Sequence, residues 1–472
     1  MANQIEKLDG ITLANIAKLD GRTDANIQAL NGREFTGFTP VNPEAFTITN
    51  YEVDDGRVWA PVLGWDPDTD TLVAVWGDDD NNDYPTYRLG KLSANTGNTT
   101  ITWQSAVVIS TAGDNYAADL AYDTGNDVMG IVFLESGAGG TNRYRIAFGQ
   151  ITNSGATPSM SIGTSEIIHD TSSGNYNQGD TSQCLAYWPD MGAMVTMLEY
   201  GDDDNDANFF KAFKYNPSDG GVITSGNNEL MFGDTNQEFM QLVYDASINR
   251  LVVFYLNVIS STSYIYGNIL DFDSSSTNGL TLELEFSEPG TQLFAGTVAS
   301  GYDAGAWAAY NTSANIHHVL FSETADSTKK IRNVKISGSD GSFTMDPHTT
   351  YELEVPSAQT QYTTIWYNEH RTMMGLMGTS VKQTAGDYVQ ASGYKFTEDT
   401  GTEANSTFTL NSSAAQLKIS SHDLFYGRYL GMRHTESGSD MHTGNMGFIM
   451  TFYGGDRANE GVIIGFDTGE IQ

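Results

Sequence analysis

The chain has 472 residues, with 59 acidic against 23 basic and a formal net charge of -36. That balance, with no basic stripe to neutralise phosphates, excludes a nucleic-acid binder and disfavours anionic membrane surfaces. Apolar residues make up 39% and aromatics 11%, beside 49 Gly, a mixture suited to short buried strands joined by many turns.

The opening Met1-Ala2-Asn3-Gln4-Ile5-Glu6-Lys7 holds no apolar stretch, so no secretory leader is expected. No apolar run reaches the roughly 18 residues of a spanning helix. A single cysteine, Cys184, sits in the apolar run Cys184-Leu185-Ala186-Tyr187 and reads as a buried, inert thiol.

A short repeat comes next. Ile5, Ile16 and Ile27 recur every 11 residues, as do Leu8, Leu19 and Leu30, and each unit closes on Asp9-Gly10, Asp20-Gly21 or Asn31-Gly32. The three glycines argue against one continuous helix. Thr12 and Thr23 stand at N-cap positions with Gly21 and Gly32 after the last turn, which reads as two-turn helices. Hairpins on the Asp-Gly and Asn-Gly turns are the competing reading. Units this small cannot bury their own apolar faces, so residues 1–37 are expected to anchor on a partner, with Ile5, Leu8, Ile16, Leu19, Ile27 and Leu30 as contacts. The proline-bearing stretch 38–44 reads as a linker.

From about residue 45 to 472 one unit recurs: an aromatic, a polar turn, then an apolar strand. The aromatics are Trp65, Tyr122, Tyr187, Tyr244, Tyr310 and Tyr367, at intervals of about 60 residues, with a looser seventh unit near Met432. A third strand (144–151 is one) and a weaker fourth (100–109) complete each unit. Four antiparallel strands repeated seven times predict an all-β, seven-bladed propeller. Closing such a ring requires residues 46–49 or 58–60 to pair with 462–466, because open strand edges invite aggregation.

The Ala25-Asn26-Ile27-x-x-Leu30-Asn31-Gly32 repeat and the propeller unit with Ile101-Thr102-Trp103-Gln104-Ser105-Ala106-Val107-Val108 resemble particle proteins of tailed phages, marine phages especially. The resemblance implies a virion protein assembled in the host cytoplasm. Its N-terminus would dock onto other virion proteins of the tail or capsid, in several copies. Its propeller would face a host-surface glycan or protein.

Two acidic insertions carry oxygen ligands densely enough for Ca²⁺: Asp78, Asp79, Asp80 and Asp83, and Asp202, Asp203, Asp204 and Asp206. Neither has the Gly and Glu positions of an EF-type loop, and solvated acidic loops are the plainer reading. His317-His318 lies on a strand and His422, His434 and His442 cluster near the end, without zinc-site spacing. No nucleophile elbow or phosphate loop is present, and Ser339-Asp340-Gly341 is the nearest approach to a sialidase-like turn. The expectation is therefore a non-enzymatic virion protein without a required cofactor, serving as tail fibre, receptor-binding or capsid-decoration appendage. Paired carboxylates can converge in space without a sequence motif, which keeps a glycan-depolymerase appendage as the alternative.

Overall fold

Strands dominate because β-branched and aromatic residues fill the runs between Asp-, Asn- and Gly-rich turns. The structure is a computed structural model. It describes the backbone of strands from Lys7–Leu8 to Gly461–Asp467, and most side chains between 62 and 353 with Ile365, Tyr367, Phe396 and Thr407. Several connecting segments, and the rest of the chain, lie outside the described residues. Among the described residues there is no α-helix.

The short-helix reading of the N-terminal units is corrected. Lys7–Leu8 pairs antiparallel with Ile11–Thr12, Lys18–Leu19 with Arg22–Thr23, and Ala29–Leu30 with Arg33–Glu34. Partners such as Leu8 and Ile11 leave two residues between them, which are the Asp-Gly or Asn-Gly pairs that two-residue hairpins favour. Leu8, Leu19 and Leu30 sit on these ladders; Ile5, Ile16 and Ile27 lie outside the described residues.

The larger sheets follow one another along the chain. Sheet 1 contains Val58–Asp66, Thr71–Asp78 and Tyr84–Ser93. Sheet 2 contains Asn115–Asp123, Val128–Ser136 and Asn142–Ile151. Sheet 3 contains Leu185–Trp188, Ala193–Tyr200 and Ala207–Tyr215. Sheet 4 contains Gln237–Asp245, Arg250–Ile259 and Thr262–Asp273. Sheet 5 contains Trp307–Asn311, Ile316–Ser322, Lys329–Ser337 and Thr344–Glu352. Sheet 6 contains Thr360–Asn368, Met373–Ser380 and Tyr388–Thr397.

In sheets 1, 2, 3, 4 and 6 the fourth position is filled by two short strands rather than one. In sheet 1 these are Thr100–Trp103 and Val107–Val108, not the single strand expected over 100–109. Breaking the outer strand blunts the edge against pairing with other chains. Sheet 5 keeps a continuous outer strand, but Pro347 and a register shift between Arg332 and Val334 interrupt its ladder.

Sheet 7 contains Asp423–Leu424, Asn445–Tyr453, Gly461–Asp467 and, as its outer strand, Thr47–Asp54. Ile48 is opposite Phe466 and Asn50 opposite Ile464, so the first of the two anticipated closures is present. Val58–Asp66 instead opens sheet 1, and Asn445–Tyr453 lies against it.

Each apolar core straddles two successive sheets. Val62, Val73 and Val75 of sheet 1 meet Leu120, Met129 and Ile131 of sheet 2. Trp188, Val195 and Phe210 of sheet 3 meet Leu251, Val253 and Tyr255 of sheet 4. Sheets covered on both faces are apolar along their inner strands, and Thr71 to Gly77 is buried throughout. The propeller-like succession of sheets is thus held by face-to-face burial, at roughly 1.5–3 kcal/mol for each large apolar side chain.

Candidate functional site

In sheets 1, 2, 4 and 5 the turn between the first two strands is built on a buried Asp or Asn beside the repeat aromatic, whereas in sheet 3 Trp188 takes that place and the Gly192 N–H bonds to the Pro189 carbonyl. Asp66 Oδ1 accepts the N–H groups of Asp68 and Thr69 at 2.9 and 3.2 Å. Asp123 Oδ1 accepts those of Gly125 and Asn126 at 2.8 and 3.1 Å, and Asn311 Oδ1 those of Ser313 and Ala314 at 3.1 Å each. Asp127, Asn249 and Asn315 close three of these turns at φ near +55°, a conformation that Asp and Asn tolerate.

The aromatics reach back onto the preceding sheet's turn. Tyr122 donates to Asp68 Oδ2 at 2.8 Å, and Tyr367 to Ser313 Oγ at 3.0 Å. Burial raises the phenol of Tyr187 to about 12, and a hydrogen bond with Asp123 adds to the shift. Burial likewise raises Tyr310 to about 12. This relay of turns is structural: its carboxylates are consumed by backbone N–H groups.

At the same end of the sheets, between sheets 4 and 5, a different cluster gathers three carboxylates and one arginine. Arg250 opens the second strand of sheet 4 and Asp271 lies near the end of the third. Glu285 follows that sheet's outer strand Thr281–Leu284, and Asp340 comes from the turn between the last two strands of sheet 5. The turn places Asp340 through the bond from Ser342 N to Ser339 O, 2.8 Å, with Gly338 and Gly341 at positive φ.

Arg250 Nε lies 2.9 Å from Asp271 Oδ1, and another guanidinium nitrogen 3.0 Å from Asp340 Oδ1. Its guanidinium also sits 5.7–5.9 Å from the rings of Phe343, Phe272 and Trp188, which fix its plane. Glu285 Oε1 accepts the Phe343 N–H at 3.1 Å. Oxygens of Asp271, Glu285 and Asp340 all lie within 4.8 Å of one another, an acidic group that can hold a metal ion.

The two aspartates are driven apart in acidity. Burial pushes the Asp271 carboxyl above its ordinary value, and its hydrogen bond with Asp340 pushes it further. Asp340 is held below its ordinary value, first by that hydrogen bond and then by Arg250. Of the two, Asp271 is therefore the readier to hold a proton. Two neighbouring carboxyl groups of unequal acidity are the pairing that acid–base chemistry requires.

The sequence-predicted metal residues lie elsewhere. Asp78 ends the second strand of sheet 1, opposite Val58 and Tyr84, at the other end of the sheets from this cluster. Asp79, Asp80, Asp83, Asp202, Asp203, Asp204 and Asp206 lie outside the described residues, as do Cys184, His422, His434 and His442. Sequence reasoning missed Arg250, Asp271 and Glu285. The one available signal was Ser339-Asp340-Gly341, whose aspartate does join the cluster.

No protein-family model matches the chain, and no curated protein matches its sequence. Among solved structures it is similar to a glucose dehydrogenase, at 10% identity and TM-score 0.40, covering 70% of this chain and 96% of that one. A Trypanosoma rangeli sialidase in complex with the inhibitor DANA is similar at 11% identity and TM-score 0.41, covering 71% and 55%. A Bacillus subtilis levansucrase in complex with oligosaccharides is similar at 11% identity and TM-score 0.32, covering 65% and 86%. All three are enzymes. The expectation of a non-enzymatic protein is corrected on this finding.

Proposed function

We propose that the protein is a glycan-degrading enzyme built on a seven-bladed propeller spanning residues 45–472. The observation that carries the reading is the convergence of Asp271, Glu285 and Asp340 around Arg250, with the Asp271 carboxyl shifted up and the Asp340 carboxyl shifted down. Asp271 acts as the general acid that protonates the departing glycosidic oxygen. Glu285 or Asp340 supplies the carboxylate that attacks or shields the anomeric carbon.

Incubation with a panel of bacterial surface polysaccharides, followed by assay of new reducing ends, tests the reading. Cleavage should appear with the native chain and fall about 100-fold or more in Asp271→Asn, with an unchanged melting temperature. Activity should decline on the alkaline side as Asp271 loses its proton. Unshortened chains across the panel, or full activity in Asp271→Asn, would overturn it.

The particle setting is part of the same proposal. Residues 1–37 dock the enzyme onto a phage tail or capsid through their hairpin units, leaving the propeller free to meet the host-surface glycan. The hairpin geometry supports this, because two-residue ladders need a partner surface to persist in water.

A further inference from the structure

The second strand of sheet 5 carries two adjacent buried histidines. Successive side chains on a strand face opposite ways, so each one enters a different joint between sheets. His317 faces sheet 4, where its Nε2 lies 2.8 Å from Asp245 Oδ2 and its Nδ1 has no hydrogen-bond partner. His318 faces sheet 6, 5.0 Å from the ring of Phe396. In the place of His317, opposite the repeat tyrosine, sheets 2 and 3 carry Met129 and Met194, which pack on Gly64 and Gly130 of the preceding sheets.

His318 is held neutral by its surroundings. Its Nδ1 lies 2.7 Å from Asn333 Oδ1, which can only accept, so the proton sits on Nδ1. Its Nε2 lies 3.2 Å from Asn311 Nδ2, which can only donate. The Asn311 amide cannot turn round, because its oxygen is already held by the N–H groups of Ser313 and Ala314. A second proton on His318 therefore sets donor against donor, fully buried, and the relief is loss of the Asn311 turn. That turn carries Ser313, the acceptor of Tyr367 from sheet 6.

We propose that His318 and Asn311 form an acid-operated latch that releases sheet 6 from sheet 5 when His318 takes up a proton. The titratable groups around the latch are His317 and Tyr310 on its own sheet, Asp245 of sheet 4 beyond His317, and Tyr367 of sheet 6. Asp245 meets His317, and Ser247 and Tyr310 bond to it as well. Burial drives the His318 imidazole down to about 3, with the charge of His317 acting the same way. The latch thus stays shut at neutral pH and strains in mild acid.

Hydrogen exchange of the full chain, corrected for intrinsic rates and compared at about pH 7 and about pH 4.5, tests this. Peptides covering 307–322 and 365–377 should lose protection roughly ten- to hundred-fold. Peptides of the methionine-packed joint, 128–134 and 193–198, should keep theirs. Asn311→Asp supplies an acceptor for the new N–H while still capping the turn, as Asp66 and Asp123 do, and should keep the latch shut in acid. Equal losses at both joints, no loss at either, or an Asn311→Asp variant that opens like the native chain would each overturn the latch. If that variant fails to fold, the comparison of the two joints in the native chain decides alone.

Discussion

Asp123 shows what one buried carboxylate does in this molecule. It satisfies two turn N–H groups and the Asn126 side chain, and it stands within hydrogen-bonding reach of Tyr187 from the next sheet. Asp123→Ala leaves those donors unpaired in a buried setting, and unfolding by denaturant should show about 2–4 kcal/mol lost. Asp123→Asn keeps the acceptor, as Asn311 does, and should cost about 1 kcal/mol. At His318 the sign runs through acid. The folded imidazole titrates near 3 against an ordinary value of 6.5, so its contribution is full above about pH 6.5. It then falls by about 1.4 kcal/mol per pH unit until the folded value is reached. Residues of this kind differ in legibility. The aromatic-Asp pair announces itself, because the local turns of sheets 1, 2 and 4 are built on it. The neutral lock on His318 does not, since it depends on Asn333 arriving from another strand. The Arg250, Asp271, Glu285 and Asp340 cluster was illegible for the same reason: four loops and strand ends meet only after two sheets stack.

Between elements, the contacts that matter are close approaches. Gly163 follows the short outer strand Met160–Ile162 of sheet 2, and a Cβ there would meet the carbonyl oxygen of Gly220 in sheet 3 at 1.7 Å. Backbone cannot yield as a methionine tip can, so Gly163→Ala should force the two outer edges apart. We expect a loss of about 2–3 kcal/mol, read as a lowered melting temperature. Gly149, whose added Cβ would touch the Met160 sulfur at 2.5 Å, should tolerate Ala better, since that side chain can swing aside. The strand pattern itself was readable, because inner strands are continuous apolar runs between turns of fixed chemistry. The broken fourth strand was not. Its residues at 104–106 are no less suited to a strand than their neighbours, and only the sheet's outer edge distinguishes them. The N-terminal units were misread because Ile and Leu one turn apart suit a helix, while the two-residue Asp-Gly turns favoured hairpins more strongly.

For the whole molecule, the closing sheet sets where the chain can be cut. Removing residues 1–37 leaves Thr47–Asp54 in place, so that truncation should stay monodisperse with an unchanged melting temperature while failing to join the particle. Removing residues 1–54 strips the outer strand from sheet 7 and bares the edge of Gly461–Asp467. That protein should aggregate in light scattering, as exposed edges do. Stable incorporation of the shorter truncation into particles would refute the docking role, whereas aggregation of it would show that the boundary lies earlier than residue 38.

The same seal has a cost in time. The two strands it joins are roughly 400 residues apart, so no other pairing in the protein has so long a loop to close. On a ribosome adding about 5–20 residues each second, Thr47–Asp54 must wait some 20 to 80 seconds for its mate. During that interval every other sheet can form in order, while this one strand stays available to any passing neighbour, including a nascent sister chain on the same messenger.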